Sequence, residues 1–187
     1  MALSSDAIDI AIICSTKARE FVKADDRFEL IPNAISNTSI IIMNNTENKK
    51  IGISAGRQYE EKMVEAMMTE EYSLFATNTR VLPYALEKAE VGGIVIDYLS
   101  SVNLIGERIF PSNKEFNTYS IIVNKNFKNK IEYKNFVEIY NETVNYLSED
   151  FNMLLKAEEY LGDADYTVER RKREWQMLNL KMQTLEK

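Results

Sequence analysis

No histidine occurs among the 187 residues, and there is a single cysteine. Without histidine the commonest general base and the commonest metal ligand are missing. Ser-His-Asp and Cys-His triads and histidine-based zinc sites are therefore excluded. Cys14 alone cannot form an intrachain disulfide. It follows the apolar Ala11-Ile12-Ile13 and is expected as a buried thiol at a strand end. A lipid-attachment role is rejected, because Asp6 and Asp9 interrupt the stretch and no basic segment precedes it. Positive charge is also in deficit: 23 Lys and Arg against 29 Asp and Glu give a net charge of −6. That balance argues against a nucleic-acid partner, which needs clustered Lys and Arg. No apolar run reaches the roughly 18 residues of a membrane-spanning helix. Internal repeats and low-complexity stretches are absent as well.

What remains is an ordinary globular composition, 45% hydrophobic and 28% charged, sized for one domain or two small lobes. Ala7 to Cys14 is an apolar run of strand length. Ser15 and Thr16 follow and are expected to N-cap a helix through about Lys23. Phe28 to Ile31 reads as a strand ending at Pro32, and Ser39 to Met43 as another. The polar Asn44 to Lys50 reads as a turn or hinge.

Two consecutive strand–helix–strand units then occupy residues 49 to 97. Lys50 to Ser54 is a strand. A helix from about Arg57 to Met68 puts Tyr59, Met63 and Met67 on one apolar face. Tyr72 to Thr77 is the next strand. Asn78 and Thr79 cap a helix with Pro83 in its first turn, where a missing N–H does no harm. Val91 to Asp97 is almost continuously apolar, as strands of covered parallel sheets are. Asn103 to Phe110 and Tyr119 to Asn124 are expected as returning strands. From Tyr133 the chain reads as helical, with a stripe of Phe136, Tyr140, Val144 and Leu147. A second helix runs from Glu149 to Leu161, stopped by Gly162, and a third from Tyr166 to the end. On that third helix Val168, Trp175 and Met182, with Leu178 and Leu185, form a 3.5-period seam for packing on the protein body or on another subunit.

The turn Ile53-Ser54-Ala55-Gly56-Arg57 is the strongest chemical feature. Backbone N–H groups, a hydroxyl, a guanidinium and the positive end of a helix dipole converge there, which favours an anionic or strongly polar group. The same turn also makes sense as a plain helix start with a solvated arginine. Glu60, Glu61, Glu70 and Glu71 are expected on helix surfaces or turns, without a paired acid/base geometry. Arg170 to Arg173 read as a solvated face flanked by Glu169 and Glu174.

Three segments taken in order resemble the substrate-binding proteins of ABC transporters, in the branch that includes nitrate-, sulfonate- and taurine-binding proteins. They are Ile8-Asp9-Ile10-Ala11 with Ser15-Thr16; Ile51 to Arg57 with Ala85 to Asp97; and Tyr119 to Lys125 with Phe136 to Leu147. The likeness covers about residues 7 to 147 and rests on serial order. It implies a two-lobed α/β fold of the type 2 periplasmic-binding-protein class, with the first lobe incomplete at its N-terminus and a helical C-terminal part. Residues 1–44 and 111–187 would form the first lobe, and 45–110 the βαβαβ second lobe.

The resemblance further implies a non-catalytic protein that holds a small polar or anionic ligand in an interlobe cleft for an ABC permease. The expected contacts are Ser15, Thr16, Ser54, Ala55, Gly56, Arg57, Asn78 and Asp97, with no cofactor, no metal and no catalytic residue. A regulatory or structural module of the same fold is the alternative. It would associate with itself through the C-terminal helix, or with a second chain that completes the first lobe. A lyase of this fold is a third reading, with Asp97 or a glutamate as base. As written the chain shows no export signal and is expected in the cytoplasm, whereas the resemblance implies a place outside the membrane.

Overall fold

The computed structural model describes residues 7–159 and 167–186. The chain divides into two compact units. The first comprises Met1–Ser36, Asn117–Leu154 and Lys181–Lys187; the second comprises Asn37–Phe116 and Leu155–Leu180. The expected lobe boundaries at 44/45 and 110/111 therefore lie elsewhere, at 36/37 and 116/117, and part of the C-terminal region joins the second unit.

Strands β1 (Ile10–Cys14) and β2 (Phe28–Ser36) flank a helix α1 (Ser15–Ala24) in the first unit. Strand β3 (Ser39–Met43) and the alternating series β4 (Lys50–Ser54), α2 (Gln58–Met67), β5 (Ser73–Thr77), α3 (Leu82–Glu87) and β6 (Gly93–Asp97) build the second. They are followed by β7 (Glu107–Ile109), then by β8 (Asn117–Asn124), α4 (Ile131–Glu149), α5 (Phe151–Glu159), α6 (Val168–Leu178) and β9 (Lys181–Met182). The first sheet has the order β1-β8-β2-β9 and is antiparallel throughout. Ile121, Ile122 and Val123 on its inner strand β8 are fully buried. Alternation sends Ile121 and Val123 to one face, against Tyr133, Val137, Tyr140 and Val144 of α4. Ile122 faces Ala18 and Phe28 on the other. The buried stripe on α4 thus runs through 133, 137, 140 and 144, with Phe136 half-buried against it and stacked between Tyr133 and Tyr140; Leu147 is not part of it.

Strand β2 does not end at Pro32. It continues to Ser36, with a register break between Ile31 and Ile35 and Asn33 at φ 57°. Proline has no N–H to give a ladder, and a bulge is where a strand tolerates it.

The second sheet has the order β5-β4-β6-β3-β7. Strands β4, β5 and β6 are parallel, as the two strand–helix–strand units require; β3 pairs antiparallel with β6, and β7 antiparallel with β3. Ile40, Ile41 and Ile42 of β3 and Ile94, Val95 and Ile96 of β6 are all buried. Pairing of β3 with β6 puts residues 39–43 in this unit. The polar segment after β3 is accordingly no hinge between lobes: the Asn44 and Asn45 amides both donate to Gly92 O (2.9 and 3.0 Å), and Gly92 N–H donates to Lys50 O (2.8 Å).

The C-terminal seam is also reassigned. Helix α6 ends at Leu178, because Asn179 adopts a left-handed conformation that closes the helix. Met182 lies on β9, which pairs with β2. Trp175 and Leu178 are buried in the second unit and Leu185 in the first, while Val168 is exposed. The seam is thus split, and its large buried members pack on the protein itself. The expected stop at Gly162 and helix start at Tyr166 lie outside the described residues.

Candidate functional site

Parallel pairing of β4, β5 and β6 brings their carboxyl ends to one rim of the second sheet, where ligands of open α/β sheets bind. Ser54 is opposite Thr77, and Asp97 ends β6. The chain leaves β4 through Ala55 and Gly56, the latter at φ 80°, a conformation glycine adopts without steric penalty. Helix α2 then starts with Arg57 at its N-cap, whose side chain makes no cap hydrogen bond.

Glu60 fills that role. It is the third residue of α2 and is completely buried, so the surface position expected for it is wrong. One carboxylate oxygen accepts the Ser54 N–H at 2.6 Å, and the other lies 3.3 Å from Arg57 Nη1. In a capping box a glutamate at this position reaches back to the N-cap amide; here it reaches three residues further, to Ser54. Two further amides of the turn are engaged: Ala55 N–H donates to Thr77 O at 2.7 Å and Arg57 N–H to Ser54 O at 3.1 Å. The turn is therefore occupied by a carboxyl group, and that group is the protein's own Glu60.

Arg57 ties the network together. Its Nη1 donates to Asp97 Oδ2 at 3.1 Å and to Tyr59 Oη at 3.1 Å. Asp97 Oδ1 accepts from the hydroxyls of Thr38 and Ser39, both at 2.9 Å. Asp97 makes no side-chain cap bond to the short helix that follows it; β3 brings Thr38 and Ser39 alongside it instead. Burial raises the Glu60 carboxyl to about 7 against an ordinary 4.5, with the Ser54 amide and Arg57 opposing the rise. Burial, with Asp97 and Glu60 nearby, pushes the Tyr59 phenol upward. The side chains of Arg57 and Asp97 are 18% and 21% exposed, so the network reaches solvent there. Ser54 Oγ is buried and has no hydrogen-bond partner among the described residues.

Ser54, Arg57 and Asp97 thus meet in one network, Ser54 through its backbone N–H alone. Asn78 is on the same rim, but its side chain accepts the Arg80 N–H at 2.9 Å as a local cap. Glu60, Thr38, Ser39 and Tyr59 were missed. The Glu60 role was legible from its spacing after the Ser-Ala-Gly-Arg turn. Thr38 and Ser39 carried no local signal, since only sheet pairing places them.

In the first unit, Ser15 and Thr16 do not cap α1. They are its first two helical residues, with Cys14 at the N-cap and no side-chain cap bond. Ser15 Oγ lies 2.6 Å from Asn117 Oδ1 and 2.8 Å from Ser120 Oγ, which ties the helix start to β8. Thr16 is buried, and Cys14, at the end of β1, is half-buried. Among the described residues no group of three Cys, Asp or Glu side chains is placed to hold a metal ion.

No protein-family profile matches the sequence, and no curated protein matches it. Solved structures do. The ligand-binding component of an ABC-type import system from Staphylococcus aureus, solved with zinc bound, has a TM-score of 0.67 at 12% identity, covering 98% of this chain and 70% of that one. A periplasmic sulfonate-binding protein, SsuA, from Methylobacillus flagellatus has a TM-score of 0.63 at 18% identity, covering 95% of this chain and 61% of that one. An amino acid ABC transporter substrate-binding protein from Streptococcus pneumoniae, bound to L-arginine, has a TM-score of 0.53 at 15% identity, covering 87% and 73%. These neighbours are binding proteins, not enzymes, and at such identities the likeness is one of fold. The chain has the fold of the periplasmic solute-binding proteins of ABC-type importers.

Proposed function

We propose that this chain is a non-catalytic solute-binding component that takes a small polar or anionic ligand and works with an ABC-type permease. The observation that carries the reading is the Arg57–Asp97 pair, part-exposed at the carboxyl rim of β4, β5 and β6, on a fold whose solved relatives are binding proteins. Since Glu60 fills the helix N-terminus, an anionic head group engages Arg57 from the solvent side, in competition with Asp97, and does not enter the turn. A hydroxyl or amine on the ligand would find its acceptor in Asp97.

The test is thermal unfolding with taurine, methanesulfonate, nitrate and L-arginine, each added separately. A ligand present at 100 times its dissociation constant stabilises by about 2.7 kcal/mol, roughly 5–10 °C for a chain of this size. One of the four is expected to give such a shift, and Arg57→Ala to abolish it. No shift with any of them, or a shift that survives Arg57→Ala, refutes the assignment.

A further inference from the structure

Behind the carboxyl rim the second unit holds a second acidic network that the binding role does not use. Tyr98 follows β6 and is 1% exposed. Its hydroxyl oxygen lies 3.3 Å from Glu158 Oε1 on α5 and 3.1 Å from Glu174 Oε2 on α6. Glu158 and Glu174 are themselves buried. A phenol has one proton. It can donate to one of these carboxyls; toward the other it offers only a lone pair, and a hydrogen bond there requires that carboxyl to supply the proton.

The surrounding charges decide which one does. Glu174 Oε1 accepts from Arg170 Nε at 3.0 Å, and Glu174 Oε2 is 3.8 Å from Arg108 Nη1 of β7. Two guanidiniums flank Glu174, so it is the better acceptor for the Tyr98 O–H. Glu158 has a neutral donor instead, the indole N–H of Trp175, 3.1 Å from Oε2. Arg171 of α6 acts on it only through space, and Arg171 Nε is buried without a hydrogen-bond partner among the described residues. Burial is the largest influence on Glu158 and raises its pKa; Glu174 adds to the rise, while Trp175, Arg171 and Tyr98 oppose it.

We propose that Glu158 carries a proton when α5 and α6 are packed on Tyr98, so that their attachment is a latch that loosens as pH rises. The Glu158 O–H donates to Tyr98 Oη, the Tyr98 O–H donates to Glu174, and Trp175 N–H closes the set on the other Glu158 oxygen. Loss of the Glu158 proton leaves a buried negative charge facing a lone pair and a second carboxylate, an arrangement that favours undocking. Because the folded pKa is raised, this stabilisation is complete below the ordinary carboxylate range and is lost as pH rises through the folded value.

The chain contains one tryptophan, and it is part of the latch. Its emission, followed from pH 4 to pH 9 in the wild type and in Glu158→Gln, tests the idea. Glutamine keeps a donor toward Tyr98 and an acceptor for Trp175 without titrating. The wild type is expected to show a red shift as pH rises, and Glu158→Gln to show none. Should Glu158→Gln fail to fold by circular dichroism, Glu174→Gln decides: removing the facing charge eases Glu158 ionisation, so the transition moves to lower pH. A wild-type emission without a transition, a transition unchanged in Glu158→Gln, or an unmoved transition in Glu174→Gln overturns the latch.

Discussion

Glu60 shows how much one side chain can change the meaning of a motif. A helix start with a serine, a glycine and an arginine attracts an anionic group, and here a carboxyl of the chain itself, six residues after Ser54, occupies the place. The carboxyl is raised to about 7, so its contribution to stability is complete below about 4.5 and is lost as pH climbs through 7. The interval corresponds to at most about 3 kcal/mol. Glu60→Gln is therefore expected to equal the wild type in urea unfolding near pH 5 and to exceed it near pH 8; a variant less stable at pH 8 contradicts this account. Arg57→Met should act in the opposite direction. It leaves Glu60 and Asp97 without the guanidinium between them, a loss of about 2–4 kcal/mol given their partial exposure, larger at pH 8 than at pH 5. Equal losses at both pH values would mean that charge is not what Arg57 contributes.

At the scale of elements, the parallel core was legible because its signals are local. Apolar runs of strand length ended at Ser54, Thr77 and Asp97, and caps and a proline opened the helices between them. What escaped were pairings between distant segments. Ser39 to Met43 reads as a strand from its own residues, but nothing in it says that its neighbour is β6, and the lobe boundary was misplaced for that reason. The helical seam failed similarly: its spacing continued through Met182, whereas Asn179 ended the helix and β2 drew the next residues into a sheet. Gly92 marks the long-range tie that corrects the boundary. A Cβ built there meets Asn48 O at 2.0 Å and Asn45 O at 2.4 Å, both backbone atoms. Gly92→Ala must push the β3–β4 connection off β6, and it is expected to lose at least about 2 kcal/mol in urea unfolding. A variant within a few tenths of the wild type would show that this connection is free to move.

For the whole molecule, the order of the chain matters more than the size of either unit. The backbone passes between the units at 36/37, 116/117, 154/155 and 180/181, so neither is a continuous stretch of sequence. The last crossing delivers β9 and Leu185 to the first unit directly after α6 of the second. There Gln183 N–H donates to Ala34 O at 3.0 Å, Leu185 N–H donates to Asn141 Oδ1 at 2.7 Å, and Asn141 Nδ2 returns a bond to Leu185 O at 2.9 Å. Leu185 itself packs with Ile121, Val123, Tyr140 and Val144. Leu185→Ala should accordingly cost about 2–4 kcal/mol, and hydrogen exchange can locate the loss. If the units are separate cooperative bodies, faster exchange appears in β2, β8 and α4, while the amides of β3, β4 and β6 keep their protection. Equal acceleration in both sheets would show instead that four chain crossings suffice to make the molecule unfold as one.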